Sequence, residues 1–546
     1  MPLLIGLDFG TEAVRAVLVD ADHGELLATS ARSYAHGVID VVLPGEGLAL
    51  GEGWALQNPT DWMLALVEVV REVVRRSRTA QDEIIGLGID FTSCTMLPVD
   101  ADGQPLSTDP EWAGVPHAWP KLWKHHAAQP QADRINAVAT AGGEPWLARY
   151  GGKISSEWMM PKALEILENA PDVYHAADRF VEAADWVVWQ LTGTCIRNSC
   201  SAGYKAQWNK KDGFPRREFL ELLDPDLSDL FDAKLRGPVV PPGRKVGPLT
   251  AHWSGHLGLP GSTVVASPII DAHAAAIGGG SARPGDLFMI MGTSTCHLLL
   301  ADSEILVQGV SGVVEGGIID GLFGYEAGQA ASGDIFRWFT ENAVPDQYRL
   351  LARGSHTIYD VLSEKAADLG PGESGLLALD WFNGNRSVLV DADLSGVIIG
   401  ITLGTRPEEI YRALIEATAF GTRKIIDTFE DAGLPINTIR AGGSLAKNDL
   451  LMKIYADVLR RDILIVEAPE VSARGAAILA GVAAGQFETA GEGAERIGTR
   501  FARTFSPDRA HAEVYEKLYS EYEKLHDYFG RGENPVMKIL RETRRK

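Results

Sequence analysis

The chain contains no uninterrupted run of the ~18 apolar residues that a membrane-spanning helix requires, and its opening apolar stretch, PLLIGL, stops at Asp8 with no basic leader before it. Neither a membrane anchor nor a secretory signal is expected. Cysteine is scarce: Cys94, Cys195, Cys200 and Cys296 are the four in 546 residues, with no CxxC pair. That is too few for a disulfide framework and points to a reducing, cytoplasmic setting. Positive charge is in the minority, 51 Lys and Arg against 73 Asp and Glu, for a formal net charge of -22. Long-range repulsion therefore argues against a nucleic-acid or anionic-membrane partner. The basic end, Arg541 to Lys546, is a short exception that reads as a solvated tail. Nucleotide-binding signatures are missing too: there is no Walker A loop and no GxGxxG after a first strand.

What is present, 45% hydrophobic and 23% charged residues, describes a globular protein too long for a single core. LLIGL, DFGTE, AVRAVLVD and LLATSARSY read as three short antiparallel strands with a tight turn. The segment PTDWMLALVEVVREVVRRSR follows as a helix, capped around Asn58, Thr60 and Asp61. EIIGLGIDFTS then predicts a strand that delivers Asp90, Thr92, Ser93 and Cys94 to its carboxyl end, where ligands sit in open α/β sheets. A second strand–turn–strand, DLFMIMGTSTCHLLLAD, sets Gly292-Thr293 where the first has Gly10-Thr11, which suggests internal duplication. Helices and strands alternate beyond it. The last helix, ARGAAILAGVAAG, is rich in small residues and suited to close packing on a sheet.

Several residues could carry chemistry. Asp8 leaves a buried strand at a turn whose N–H groups and Thr11 hydroxyl could hold phosphate oxygens, and its carboxylate could orient Mg²⁺ through water. An ordinary hairpin turn is the plainer alternative. GTSTC at 292 to 296 offers a second hydroxyl-rich turn, and AGGS at 441 to 444 a glycine pair after a strand. Asp271, in SPIIDAHAA, is an acid among small and apolar residues: a helix cap or a base. Lys205 reads as a surface lysine, and Glu326 as a partner for an arginine across a sheet. Transition-metal sites are not expected. The glycines and prolines around His252 and His256 argue against the helix a zinc pair needs, and His125 and His126 read as surface residues on different helix faces.

In order, IGLDFGTEAVRAVLVD, GLGIDFTSCTMLPVDADGQPL, SPIIDAHAAAIGGG, MGTST, RALIEATAFGTRKIID, AGGSLAKNDLLMKIYADVL and SARGAAILAGVAAG resemble the FGGY carbohydrate kinases of the actin-like ATPase superfamily. PHAWPKLWKHHAAQ and CSAGYKAQWN are similar to the L-ribulokinase branch. The resemblance implies an α/β fold of two RNase-H-like domains with a catalytic cleft between them. The domains would be residues 1–265 and 266–500, followed by a helical tail at 501–546.

The activity it implies is ATP-dependent phosphorylation of L-ribulose to L-ribulose 5-phosphate, with Asp271 as the base on the sugar hydroxyl. Asp8 corresponds to the Mg²⁺-orienting acid, and Thr11 and Arg15 to residues near the terminal phosphate. Gly292 and Thr293 fit the second phosphate turn, Gly333 a glycine beside the nucleotide, and Gly442, Gly443 and Asn448 the adenosine side. Ser93, Lys205, Asp271 and Glu326 match the sugar pocket. Ser93 stands where that branch commonly has alanine. A helix starting at Asp271 would favour its ionised form, and a carboxylate of ordinary acidity suffices for phosphoryl transfer. The partners implied are a small sugar and ATP, with a homodimer left open. Competing readings are a kinase for D-ribulose, ribitol or xylulose, and a sugar-binding sensor without turnover.

Overall fold

The computed structural model describes residues 1–45, 47–466 and 470–544. Strands β1 (Leu3–Phe9), β2 (Ala13–Asp20) and β3 (Leu26–Ser33) form the expected antiparallel meander. Helix α1 (Pro59–Ser77) then crosses back so that β4 (Ile84–Phe91) lies parallel to β1. The Asn58 side chain accepts the Thr60 N–H, and Pro59 and Asp61 fill the first turn, as the sequence predicts. Strands β5 (Lys245–Pro248), β6 (Val264–Ala266) and β7 (Ile269–Ile270) complete the first sheet, in the order β3-β2-β1-β4-β6-β5, with β7 also against β4.

The second sheet contains β8 (Asp286–Met291), β9 (Thr295–Ala301), β10 (Gly312–Glu315), β11 (Phe323–Gln329), β12 (Thr438–Gly442), β13 (Ile463–Ile465) and β14 (Arg503–Phe505), in the order β10-β11-β9-β8-β12-β13-β14. As in the first sheet, a hairpin is followed by a strand parallel to the hairpin's first member, here β12 beside β8. Each turn is closed from its glycine, although at different reach: the Gly10 N–H donates three residues on, to the Ala13 carbonyl at 3.0 Å, and the Gly292 N–H two residues on, to the Ser294 carbonyl at 2.9 Å. The suspected duplication is therefore structural. Of the segment ILIVEA, residues 463 to 468, Ile463–Ile465 form a strand, and the last two residues lie outside the described residues.

An insertion between β4 and β5 carries its own core and two helices that matter for the site, α2 (Met159–Asn169) and α3 (Ser199–Ala206). Here two histidine expectations are corrected. His125 is not on a surface helix: it sits in a buried loop within 3.0 Å of Glu165, which also pairs with buried Lys121 at 3.0 Å. His252 and His256 do lie on a helix, α4 (Ala251–Leu257), because the Thr250 side chain caps it and Gly258 ends it in the left-handed region. Their ring centroids are 4.2 Å apart. Among the described residues no third ligand joins them or any other pair.

Two helices lie between the sheets, α5 (Asp271–Gly278) and α10 (Val471–Ala483), the second of which is the small-residue helix. The longer helices between them in sequence are α6 (Gly333–Asn342), α7 (Ile358–Ala367), α8 (Pro407–Asp431) and α9 (Asp449–Leu459). Helix α10 packs on β1 and β4 of the first sheet, although it comes from the far end of the sequence. Contact is backbone to backbone. A Cβ on Gly6 would come within 1.8 Å of the Ala473 carbonyl oxygen, and one on Gly88 within 1.9 Å of the Ala476 oxygen. Between the helices, Gly475 meets the Ala274 carbonyl and Gly278 the Val471 carbonyl, both at 1.9 Å by the same measure. Only glycine allows that approach.

The C-terminal segment consists of α11 (Arg509–Gly530) and α12 (Val536–Arg544). Tyr515, Tyr519 and Tyr522 of α11 are buried in the second sheet's core. The basic end is less free than expected, because its first residue, Arg541, pairs with Asp393 at 3.1 Å, and Lys538 just before it pairs with Asp391 at 2.9 Å. Its last two residues lie outside the described residues.

The glycine contacts predict an asymmetry. Gly88→Ala should lose about 3 kcal/mol or more in denaturant unfolding, since no nearby side chain can yield to a carbonyl clash. Gly255→Ala, on an exposed face of α4 with no atom within 4 Å of the added carbon, should be neutral or gain up to ~1 kcal/mol. Equal effects at the two positions would contradict the packing described.

Candidate active site

Three parallel strands of the first sheet end side by side. Strand register sets Asp8 beside Asp90 and Phe9 beside Phe91 across β1 and β4, and Ile270 of β7 beside Phe91 from the other flank. The residues that follow the strands, Gly10-Thr11, Thr92-Ser93 and Asp271, are thus gathered at one edge of the sheet. Arg15, opposite Asp8 on β2, donates to the Asp8 carboxylate at 3.2 Å.

Asp271 is the first residue of α5, as anticipated, and its carboxylate accepts the Ala272 N–H at 2.7 Å. It keeps part of its surface open to the cleft. Its acidity is not ordinary, however. Burial of the side chain, with Asp8 nearby, outweighs that hydrogen bond and raises its pKa to about 7. The helix N-terminus does not offset the desolvation.

Lys205 and Glu326 come from opposite halves of the molecule, α3 and β11, and meet across the cleft at 3.0 and 3.1 Å. Both are buried, so Lys205 is neither a surface residue nor independent of Glu326. Burial alone would push both groups toward neutrality. Their mutual attraction prevails, lowering the Glu326 pKa and raising that of Lys205, so the pair is ionised. Buried His273 packs at a tilt against Tyr204 with centroids 4.4 Å apart, and its Nε2 lies 3.5 Å from Glu326. Burial lowers its pKa to about 4, which keeps the ring neutral and makes it a wall of the pocket.

The parallel strands β8 and β12 of the second sheet end likewise at Gly292-Thr293 and Gly442-Gly443, Ile290 being opposite Gly442. Beyond them opens a cavity of about 670 Å³ lined by Gly292, Thr293, Gly333, Tyr359, Ser444 and Asn448, among others. That volume suits a nucleotide-sized ligand. Gly333 begins α6 and donates its N–H to the Gly292 carbonyl at 3.0 Å, which binds the helix start to the turn. Asn448 caps α9 through the Leu451 N–H and donates to the Ser363 hydroxyl at 2.9 Å. Gly443 has φ +101° and packs on the Met291 backbone, and the cavity lining begins one residue later, at Ser444, so neither Gly442 nor Gly443 lines it directly.

Some features were missed in the sequence. Asp90 was placed at a strand end without a role, yet it is fully buried with neither carboxylate oxygen hydrogen-bonded. Burial, with Asp8 and Asp271 nearby, holds its carboxyl well above the usual carboxylate range. It is the neutral member of an acidic trio, and alternation along GLGIDF could have flagged it as an acid pointing into the interior. Trp123 donates its indole N–H to the Thr11 hydroxyl at 3.1 Å, and Gln57 donates to the Thr11 carbonyl at 2.7 Å. These contacts hold the Gly10-Thr11 turn, Trp123 from the insertion and Gln57 from the segment just before α1, and no sequence periodicity announces them.

The chain matches the N-terminal domain of the FGGY family of carbohydrate kinases over residues 3–278 and its C-terminal domain over residues 287–484. A ribulokinase from Shouchella clausii is 52% identical over 546 residues, covering 99% of this chain and 97% of that protein. One from Geobacillus thermodenitrificans is 53% identical over 544 residues, covering 98% and 96%. Among solved structures, the xylulose kinase from Rhodospirillum rubrum superposes with a TM-score of 0.80 at 23% identity, covering 96% of this chain and 98% of that one. Plasmodium falciparum glycerol kinase with ADP gives 0.76 at 16%, covering 96% and 98%. These two share the fold. With both domain matches in sequence order and relatives above half identity along nearly all its length, the chain belongs to the FGGY family of carbohydrate kinases.

Proposed function

We propose that this kinase transfers the terminal phosphoryl group of ATP to L-ribulose, giving L-ribulose 5-phosphate and ADP. The observation that carries this reading is the identity of 52–53% with ribulokinases along nearly the full chain. The cleft is compatible with it: an acid with a pKa of about 7, a buried ion pair and two hydroxyl-bearing turns meet where two sheets end.

In this reading Asp271 accepts the proton of the attacking sugar hydroxyl as the oxygen–phosphorus bond forms and the bond to the ADP oxygen breaks. Lys205 donates to a sugar hydroxyl, Glu326 accepts from one, and Ser93 stands at the same strand edge. Water cannot occupy all these positions with the fit of a pentulose, which favours the sugar as acceptor. Gly292, Thr293 and Thr11 offer N–H and hydroxyl donors to the phosphates. The 670 Å³ cavity, lined by Gly333 and Asn448 among others, takes the adenosine, and Gly442 and Gly443 lead into it just before Ser444 of its lining.

Asp8 is the residue that would hold Mg²⁺, through water. That ion needs only one or two carboxylates beside phosphate oxygens, and it would supply charge neutralisation there. Arg15 fixes the orientation of the Asp8 carboxylate. The three-part division at residues 265 and 500 is retained as part of this proposal, with the first domain holding the sugar and the second the nucleotide.

Incubated with ATP, Mg²⁺ and a panel of pentuloses and pentitols, the protein should release ADP with the highest kcat/KM on L-ribulose. A higher value on D-ribulose, xylulose or ribitol would reassign the substrate, and no sugar-dependent release would refute transfer altogether. Asp271→Ala should lose ~10²-fold or more in kcat while binding ATP and sugar within an order of magnitude of wild type.

The raised pKa adds a pH dependence. Asp271 must be ionised to act, so kcat/KM should climb through about pH 7 on its acid limb. For stability the sign is opposite. A carboxyl whose folded pKa lies above its unfolded value stabilises the fold below the unfolded value, and that contribution is lost as pH rises through about 7. Asp271→Asn should therefore raise Tm relative to wild type at pH 8, with the difference shrinking at pH 5. A difference independent of pH would show that Asp271 carries no such burden.

A further inference from the structure

Alternation along β11 sends Glu326 and Gly328 to the same face of the second sheet, the face turned toward the first domain. Opposite them on β9 are Leu298 and Cys296, and opposite Cys296 on β8 is Ile290. Leu298 belongs to the core between the sheets, while Ile290 and Cys296 keep partial exposure where that face opens to the cleft. Gly328 lies at this boundary, and its missing side chain is replaced by another residue's. A Cβ there would come within 3.4 Å of the Arg386 Cδ and 3.5 Å of its Nη1, besides meeting the Thr295 carbonyl oxygen at 2.8 Å. The next residue, Ser387, accepts the Gly328 N–H on its hydroxyl at 3.2 Å, which pins this segment to the strand.

Arg386 is thus laid across the sheet between two parts of the cleft. On one side is Glu326, one alternation back along β11. On the other is β9, which begins just past the Gly292-Thr293 turn. Electrostatically the guanidinium reaches both Glu326 and Cys296. It is half-buried and forms no ion pair or hydrogen bond among the described residues. The neighbouring cations are engaged: Lys205 by Glu326 and Arg15 by Asp8. A guanidinium removed from much of its water and left without an anion is costly, and its planar fork matches two phosphoryl oxygens at once.

We propose that Arg386 is a phosphoryl-binding residue of this cleft, contacting the phosphoryl group in transit from nucleotide to sugar and the phosphate of the sugar product. This rests on the kinase reading above. Transfer spreads negative charge over the equatorial oxygens of the moving group, and a guanidinium whose stem packs on Gly328, between donor turn and acceptor pair, neutralises it.

The test compares wild type with Arg386→Gln and Arg386→Lys, measuring L-ribulose and L-ribulose 5-phosphate binding by calorimetry alongside turnover. In Arg386→Gln the sugar phosphate should bind ~10-fold or more weakly while the free sugar stays within ~3-fold, and kcat should fall ~10²-fold or more. Arg386→Lys, which keeps charge and stem, should recover part of the sugar-phosphate affinity. Unchanged sugar-phosphate affinity in Arg386→Gln, or equal losses for sugar and sugar phosphate, would overturn the assignment. If the Gln variant does not fold, the Lys variant decides: wild-type preference for sugar phosphate over sugar, together with wild-type kcat, would count against it. Failure of the kinase reading is separate, appearing as wild-type protein with no sugar-dependent ADP release. The ratio of sugar-phosphate to sugar affinity still judges Arg386 in that case, using whichever acceptor of the panel binds.

Discussion

Contact between main chains, with no side chain between them, is the constraint on which the rest of the molecule depends. Helix α10 lies on β1 and β4 so closely that Gly6 and Gly88 face its carbonyl oxygens, and α5 touches α10 through Gly278 and Gly475. A helix pair this thin brings the two sheets near enough for side chains of one half to reach those of the other. Lys205 and Glu326 could not pair at 3.0 Å across a layer of leucines. Asp271, at the first residue of α5, is held at the depth this stack dictates, and its proton affinity follows from that depth.

The electrostatics of the cleft has an internal logic. One carboxyl, Asp90, is held neutral, one, Asp271, is balanced near neutrality, and one, Glu326, is ionised by its lysine. Acids gathered in one cleft with so little water could not all carry charge, and their surroundings give these three different protonation states. A base with a pKa near the ambient pH can both take a proton and release it, which a strongly acidic carboxylate does less readily.

Much of this was legible in the sequence. The opening meander, the crossover to GLGIDF, the second hairpin and the small-residue helix follow from alternation, capping and composition, which are local. Gly10-Thr11 and Gly292-Thr293 were recognisable as equivalent because the same local turn recurs. What local pattern cannot reveal is which partner a residue finds far along the chain. Lys205 looked like a surface lysine until β11 brought Glu326 to it, and His125 looked exposed because Lys121 and Glu165 were not visibly its neighbours. The glycines and prolines around His252 and His256 speak against a helix, yet the Thr250 cap and the Gly258 stop are enough to define one. The acidity of Asp271 is hidden for a similar reason: the helix start is readable, but the burial that outweighs it is tertiary.

The packing of α10 also bears on how the protein is made. The face of β1 and β4 that it covers is synthesised early, whereas the helix itself leaves the ribosome only near residue 483. At typical elongation rates, roughly twenty to eighty seconds separate Gly88 from Ala483. During that interval the first sheet has its outer helix but not its inner one, so the N-terminal half cannot finish folding before the C-terminal half arrives. Although the chain contains two related halves, in biosynthesis it matures as one unit, and the bare inner face of the first sheet is the surface a chaperone would meet on the nascent chain.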